Sequence, residues 1–147
     1  MRYRKKLMPP VQEFLFSYEE AVLEVQRLER RAEELESQCN KLAAQYSGSP
    51  RGGSGGSPNA TWDAFCDALT RVEEQKQEYL RCEAEVEAFI KRLPTRVYRQ
   101  VLRHYYLERM TWEQVGETMG YSERHARKHH DDALVEAQRL WEKMKEN

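Results

Sequence analysis

Thr111-Trp112-Glu113-Gln114-Val115-Gly116-Glu117-Thr118-Met119-Gly120-Tyr121-Ser122-Glu123-Arg124-His125-Ala126-Arg127-Lys128 is the stretch on which the fold turns. Thr111 followed three residues later by Gln114 forms a capping box. The hydroxyl accepts from the amide of Gln114 while the Gln114 side chain reaches back, and the cap alone is worth roughly 1 kcal/mol. The short helix so begun turns Trp112, Val115 and Met119 inward and ends at Gly120, where a left-handed C′ position favours glycine. Only Tyr121 then separates it from Ser122, a second N-cap that opens a longer helix. So brief a turn makes the two helices cross steeply, and Gly116 supplies the missing side chain such a crossing needs. This is the sequence form of a helix-turn-helix.

Working outward, the longer helix has Ala126, Ala133, Leu134, Ala137 and Leu140 or Trp141 as its inner stripe. Its first turns offer Ser122, Glu123, Arg124, His125, Arg127 and Lys128 on the other side, and these six are the candidate DNA-binding residues. Arg and Lys at the N-terminal half of a recognition helix donate to guanine O6 and N7, and Glu accepts from cytosine N4. A solvated charged face is the plainer meaning of most such clusters; the turn directly before this one favours DNA. Upstream, a helix is expected from Pro94 to about Glu108, with Val97, Val101, Leu102 and Tyr105 on one face. Arg96, Arg99 and Arg103 on it are candidates for flanking phosphates. His125 and His129 stand four apart beside His130, but a third ligand and the Glu of a His-Glu-x-x-His helix are lacking, so no metal is expected.

Farther out, Val11, Phe14, Tyr18, Ala21, Val25, Leu28, Ala32, Leu35, Cys39, Leu42 and Tyr46 recur at steps of three and four. That is a heptad seam over 11–46, uninterrupted by Gly or Pro, and it predicts a long helix needing a partner. A second long helix is expected from about Thr61, as N-cap, to Leu93. Its stripe is Trp62, Phe65, Leu69, Val72, Tyr79, Val86, Phe89, Ile90 and Leu93. Between them, 47–58 contains five of the seven glycines and reads as a flexible linker. The linker lacks the Lys-Ser/Thr ending of a phosphate-binding loop. The simplest arrangement is an antiparallel, coiled-coil-like hairpin; an intermolecular dimer through the first helix is the alternative. The expected organisation is all-α: a basic tail at 1–10, two long helices over 11–92, and a helix-turn-helix domain over 93–147.

Charge narrows the function. The net charge is −1, but residues 11–46 carry eight carboxylates against four cations, whereas residues 1–10 carry four cations and no carboxylate. A protein that coats nucleic acid without regard to sequence would be basic throughout. Here any contact with DNA must come from a local patch. Three cysteines without a Cys-x-x-Cys, no apolar run after Lys6 and no membrane-length stretch point to a cytoplasmic protein with reduced thiols. No Ser/His/Asp or paired-carboxylate arrangement stands out, so neither an enzyme nor a cofactor is expected.

Leu93-Pro94, Tyr105-Tyr106, the run from Met110 to Gly116 and Gly120-Tyr121-Ser122-Glu123-Arg124 resemble sigma-70 region 4. With Pro50-Arg51-Gly52-Gly53 and the N-terminal helical segment, the whole layout is similar to the phage ArpU/RinA-type late transcription regulators. That resemblance implies a regulator in a bacterial host cell that binds promoter DNA, with RNA polymerase as a candidate partner and the stalk as a candidate surface for homo-oligomers. No sigma region 2 accompanies it, so melting of a promoter is not implied. Ala126 and His130 stand where sigma modules often carry larger apolar residues. Two other functions fit the same elements: a phage small terminase subunit, and an adaptor that docks on polymerase without reading DNA.

Overall fold

The computed structural model describes residues 9–47 and 58–146, all of the regular structure being helical. The basic tip at 1–8 and residues 48–57 of the glycine-rich segment lie outside them. Five helices follow in order: α1 (Pro10–Ser47), α2 (Pro58–Lys91), α3 (Arg96–Leu102), α4 (Trp112–Met119) and α5 (Glu123–Glu146). A π-helical turn, Arg103–Leu107, extends α3 directly. No described helix is long and apolar enough to cross a membrane. The chain divides into two compact units, one formed by Ala21–Tyr79 and the other by Met1–Glu20 with Leu80–Asn147.

In the unit of Ala21–Tyr79, the heptad seam of α1 is buried from Ala21 to Cys39; Leu42 is half-buried, and the Tyr46 side chain lies outside what is described. Ala21, Val25, Leu28, Ala32, Leu35 and Cys39 are all inside. Leu28, Ala32 and Leu35 share a cluster with Ala68 and Val72, with Ala64 and Phe65 packed against it. Lys76 Nζ reaches Glu29 Oε2 at 3.7 Å. On α2 the expected stripe needs correction, because Trp62 and Leu69 are 55% and 48% exposed. The buried row steps Phe65–Ala68–Val72, the same three-four spacing shifted by one residue in its middle. At about 100° per residue, choosing Ala68 turns Leu69 away from the seam. The Trp62 ring lies edge-on to Phe65 at 5.7 Å. Nor does Thr61 cap α2. The helix begins at Pro58, where a first-turn proline gives up only an amide that would lack a partner.

The second unit joins the first turns of α1 to the end of α2 and to α3–α5. Val11 and Leu15 are fully buried in it. Phe14 packs between Phe89, at 5.6 Å, and Trp141, at 4.9 Å. Gln138 Oε1 accepts from the Val11 amide at 3.2 Å, so a side chain of α5 satisfies a donor at the start of α1. Along α5, Ala126, Ala133 and Ala137 are completely buried. Their small side chains let α3 and α4 approach its axis closely; of the rest of the expected stripe, Leu134, Leu140 and Trp141 are half-buried. His130 joins that stripe at 6% exposure.

Two features of this unit differ from expectation. Pro94 lies before α3, whose N-cap is Thr95 in an extended conformation. The Thr95 hydroxyl donates to Glu136 Oε1 at 2.9 Å instead of capping its own helix. The guanidinium of Arg99 holds the segment by donating to the carbonyls of Leu93 and Pro94 at 2.6 and 3.1 Å. The second is the π-helical turn. The wider turn brings two consecutive tyrosines against Phe16, with ring centroids 6.5 Å away for Tyr105 and 4.9 Å for Tyr106. It closes with Arg109 at φ 56°, a left-handed conformation that is strained for a residue with a side chain.

Candidate nucleic-acid interface

The turn between α4 and α5 is built by the residues that announce it. Thr111 Oγ1 accepts from the Gln114 amide at 3.2 Å, and the Gln114 side chain accepts from the Thr111 amide at 2.9 Å. Gly120 ends α4 at φ 78°, ψ 29°. The Tyr121 amide then donates to the Gly116 carbonyl at 2.8 Å, folding the chain back on itself. Ser122 Oγ accepts from the His125 amide at 3.1 Å and starts α5. A Cβ placed on Gly116 would lie 2.6 Å from the Tyr121 carbonyl oxygen and 3.3 Å from two atoms of Ser122. The crossing of the two helices therefore depends on the bare α-carbon at that position.

All six candidate residues are exposed: Ser122, Glu123, Arg124, His125, Arg127 and Lys128. The burial of Ala126, His130, Ala133 and Ala137 fixes the rotation of α5 about its axis, and that rotation points Arg124 and Lys128 away from the core. Arg127 stands on the flank nearest α4 and pairs with Glu123 at 3.4 Å, with both side chains half exposed or more. The cationic face ends within two turns, since Asp131 and Asp132 follow and are also exposed. Of the three arginines of the preceding helix, Arg96 is exposed. Arg99 is held by backbone carbonyls, and Arg103 pairs with Glu87 at 3.5 Å.

The three histidines part company. His125 and His129 stack at 4.7 Å with planes 20° apart, and Tyr121 lies against both. His130 turns inward, into a nest of Tyr105, Tyr106 and Trp112. There a chain of hydrogen bonds links α1, the π turn and α5. Gln12 Nε2 can only donate, and does so to the Tyr106 hydroxyl at 2.9 Å. That hydroxyl is also hydrogen-bonded to His130 Nε2 at 2.7 Å, and His130 Nδ1 lies 3.4 Å from Asp131 Oδ1. Burial pushes the His130 ring below its ordinary value of 6.5, against an upward pull from Asp131. Burial likewise raises the Tyr106 hydroxyl, so the junction between α1, the π turn and α5 is neutral. Sequence pattern marks His130 as unusual for its place and as one of three neighbouring histidines; Gln12, which bonds Tyr106, carries no signal at all.

A groove runs beside this face, lined by Glu19 of α1, Tyr105, Arg109, Trp112, Glu113, Glu123 and Arg127 among others. Among its lining residues Tyr105 and Trp112 stack, with centroids 4.0 Å apart and planes at 11°.

Residues 90–136 match the family model described as "Sigma-70, region 4". A sigma-70 region 4-like helix-turn-helix is present. The match spans the end of α2, the whole of α3 and α4, and α5 as far as Glu136. No curated protein matches the chain, and no solved structure does. Within the sigma-70 region 4-like module, the capping box, the Gly120 turn and the exposed start of α5 all lie inside the matched segment.

Proposed function

We propose that this protein is a sequence-specific DNA-binding transcription regulator, of the kind that activates phage late genes, and that it reads promoter DNA with α5. The observation that carries the reading is the exposed start of α5, with Arg124, Arg127 and Lys128 on its surface just after the Gly120 turn, within a sigma-70 region 4-like segment. Arg124, Arg127 and Lys128 donate to base edges or phosphates, Glu123 accepts from a base amine, and Ser122 and His125 lie at the groove wall. Asp131 and Asp132 keep the contact to the first two turns, as the N-terminal half of a recognition helix requires.

The acidic long helices, in this reading, run as an antiparallel hairpin that sets the oligomeric state or meets RNA polymerase. Support comes from each unit on its own terms. Phe14 meets Phe89 and Tyr18 meets Glu83 in one, and Glu29 meets Lys76 in the other.

Selection of bound sequences from a random duplex library by the full chain tests the proposal. Enrichment of a common motif is expected, with Arg127→Ala and Lys128→Ala each weakening affinity for it about tenfold, the low end of a good base contact. Failure to enrich any motif, or unchanged affinity in both variants, would reject it in favour of an adaptor that docks on protein.

A further inference from the structure

Besides Glu87 of α2, which pairs with Arg103, the helix-turn-helix has an acidic neighbour from still farther along the chain. Glu19 belongs to α1, remote in sequence, yet it lines the groove that Glu123 and Arg127 of α5 also line. Its place is fixed by packing. Phe16, one turn earlier, lies against Tyr105 and Tyr106, and Gln12, two turns earlier, is bonded to the Tyr106 hydroxyl. Both charges act on the Tyr105 hydroxyl, Glu19 raising it and Arg127 lowering it, after the larger effect of burial. Glu19 and Arg127 therefore share one groove and both act on the Tyr105 hydroxyl.

We infer that Glu19 is a specificity-determining residue: its carboxylate, fixed at the groove edge by α1, keeps Arg127 from engaging DNA phosphates indiscriminately. The inference rests on the DNA-reading role of α5 proposed above. A phosphate approaching Arg127 from the groove side meets the carboxylates of Glu19 and Glu113, together with Glu123, already paired to Arg127. Arg109, on the same groove, offsets only part of that charge. The edge of a guanine presents neutral acceptors and escapes most of the repulsion. The result is a penalty on backbone contact that base contact does not share, which widens the gap between specific and non-specific binding. It also gives the α1 segment a part in recognition that its heptad pattern does not suggest.

The test compares the full-length wild type with Glu19→Gln and, as a control for net charge alone, Glu36→Gln, an exposed carboxylate of the other unit. Each is titrated against a random-sequence 20-base-pair duplex (about two turns of DNA) and against a duplex enriched by selection. Glu19→Gln is expected to bind the random duplex roughly three- to tenfold more tightly at low salt, the order of effect of removing one like charge beside a surface contact. The gain should shrink as salt is raised, and affinity for the selected duplex should change by less than about twofold. Glu19→Asp, which restores the charge, should return toward the wild type. Unfolding midpoints should match across the set. An equal gain in Glu36→Gln, no gain in Glu19→Gln, or an equal gain on both duplexes would overturn the inference while leaving DNA reading intact. A wild type that binds neither duplex would overturn the DNA-reading role itself, and the inference with it.

Discussion

Gly116→Ala isolates the contact on which the α4–α5 crossing depends. Alanine at an ordinary helical glycine stabilises by about 1 kcal/mol through backbone entropy. Here the new methyl would lie 2.6 Å from the Tyr121 carbonyl oxygen. That oxygen cannot swing aside as a flexible side chain would. It belongs to a turn pinned by the Tyr121 amide on Gly116 and by the Ser122 cap. Relief requires the backbone of the turn to move, and overpacking of this kind costs about 1–3 kcal/mol. Taking the upper end against the propensity gain leaves a net loss of about 2 kcal/mol, close to thirtyfold in the folding equilibrium. Urea denaturation followed by far-ultraviolet circular dichroism measures it, with Glu117→Ala, an exposed neighbour on α4, as the comparison. Glu117→Ala should stay within about 0.5 kcal/mol of the wild type. If Gly116→Ala were instead stabilised by about 1 kcal/mol, as at an open helical site, the close crossing would be refuted.

Three further outcomes follow from the same packing. His130 resists protonation when folded, so its contribution to stability should be complete above pH ~6.5 and fall as acid protonates the unfolded chain more readily than the native one. His130→Gln, which keeps an acceptor for Tyr106, should flatten that part of a pH series of unfolding midpoints; an unaltered profile would count against the buried neutral ring. Thr111→Ala removes half of the capping box and should cost about 1 kcal/mol in chemical denaturation, whereas no change would mean α4 does not depend on it. On α2, Leu69→Gln should be nearly silent while Val72→Ala costs about 1–3 kcal/mol, and the reverse order would restore Leu69 to the seam.

What the sequence made legible was local. Thr111 with Gln114, Gly116, Gly120 and Ser122 each act through backbone chemistry within a few residues, so a reader of the chain can place α4, the turn and the start of α5. The seam of α1 was legible for a related reason, because eleven apolar positions leave little freedom in helical phase. On α2 the choice between Ala68 and Leu69 lay between a small residue that admits close approach and a large one that buries more area. Side-chain size points to Leu69; the partner helix takes Ala68. The π turn had no local cue, since it answers to Phe16 meeting both tyrosines. Gln12–Tyr106–His130 was hidden more deeply still. Three polar residues from three elements become compatible with a core only once each bonds the next, and nothing in the spacing of any one element records that.

DNA reading by α5 requires that its first turns meet the phosphates of a duplex. The slope of log affinity against log salt concentration, for the full-length protein on a duplex selected from the random library, measures this most directly. Phosphate contact through Arg124 and Lys128, with Arg127 given to a base edge, predicts a slope of about −2, near −0.9 for each phosphate neutralised. A slope indistinguishable from zero would contradict it.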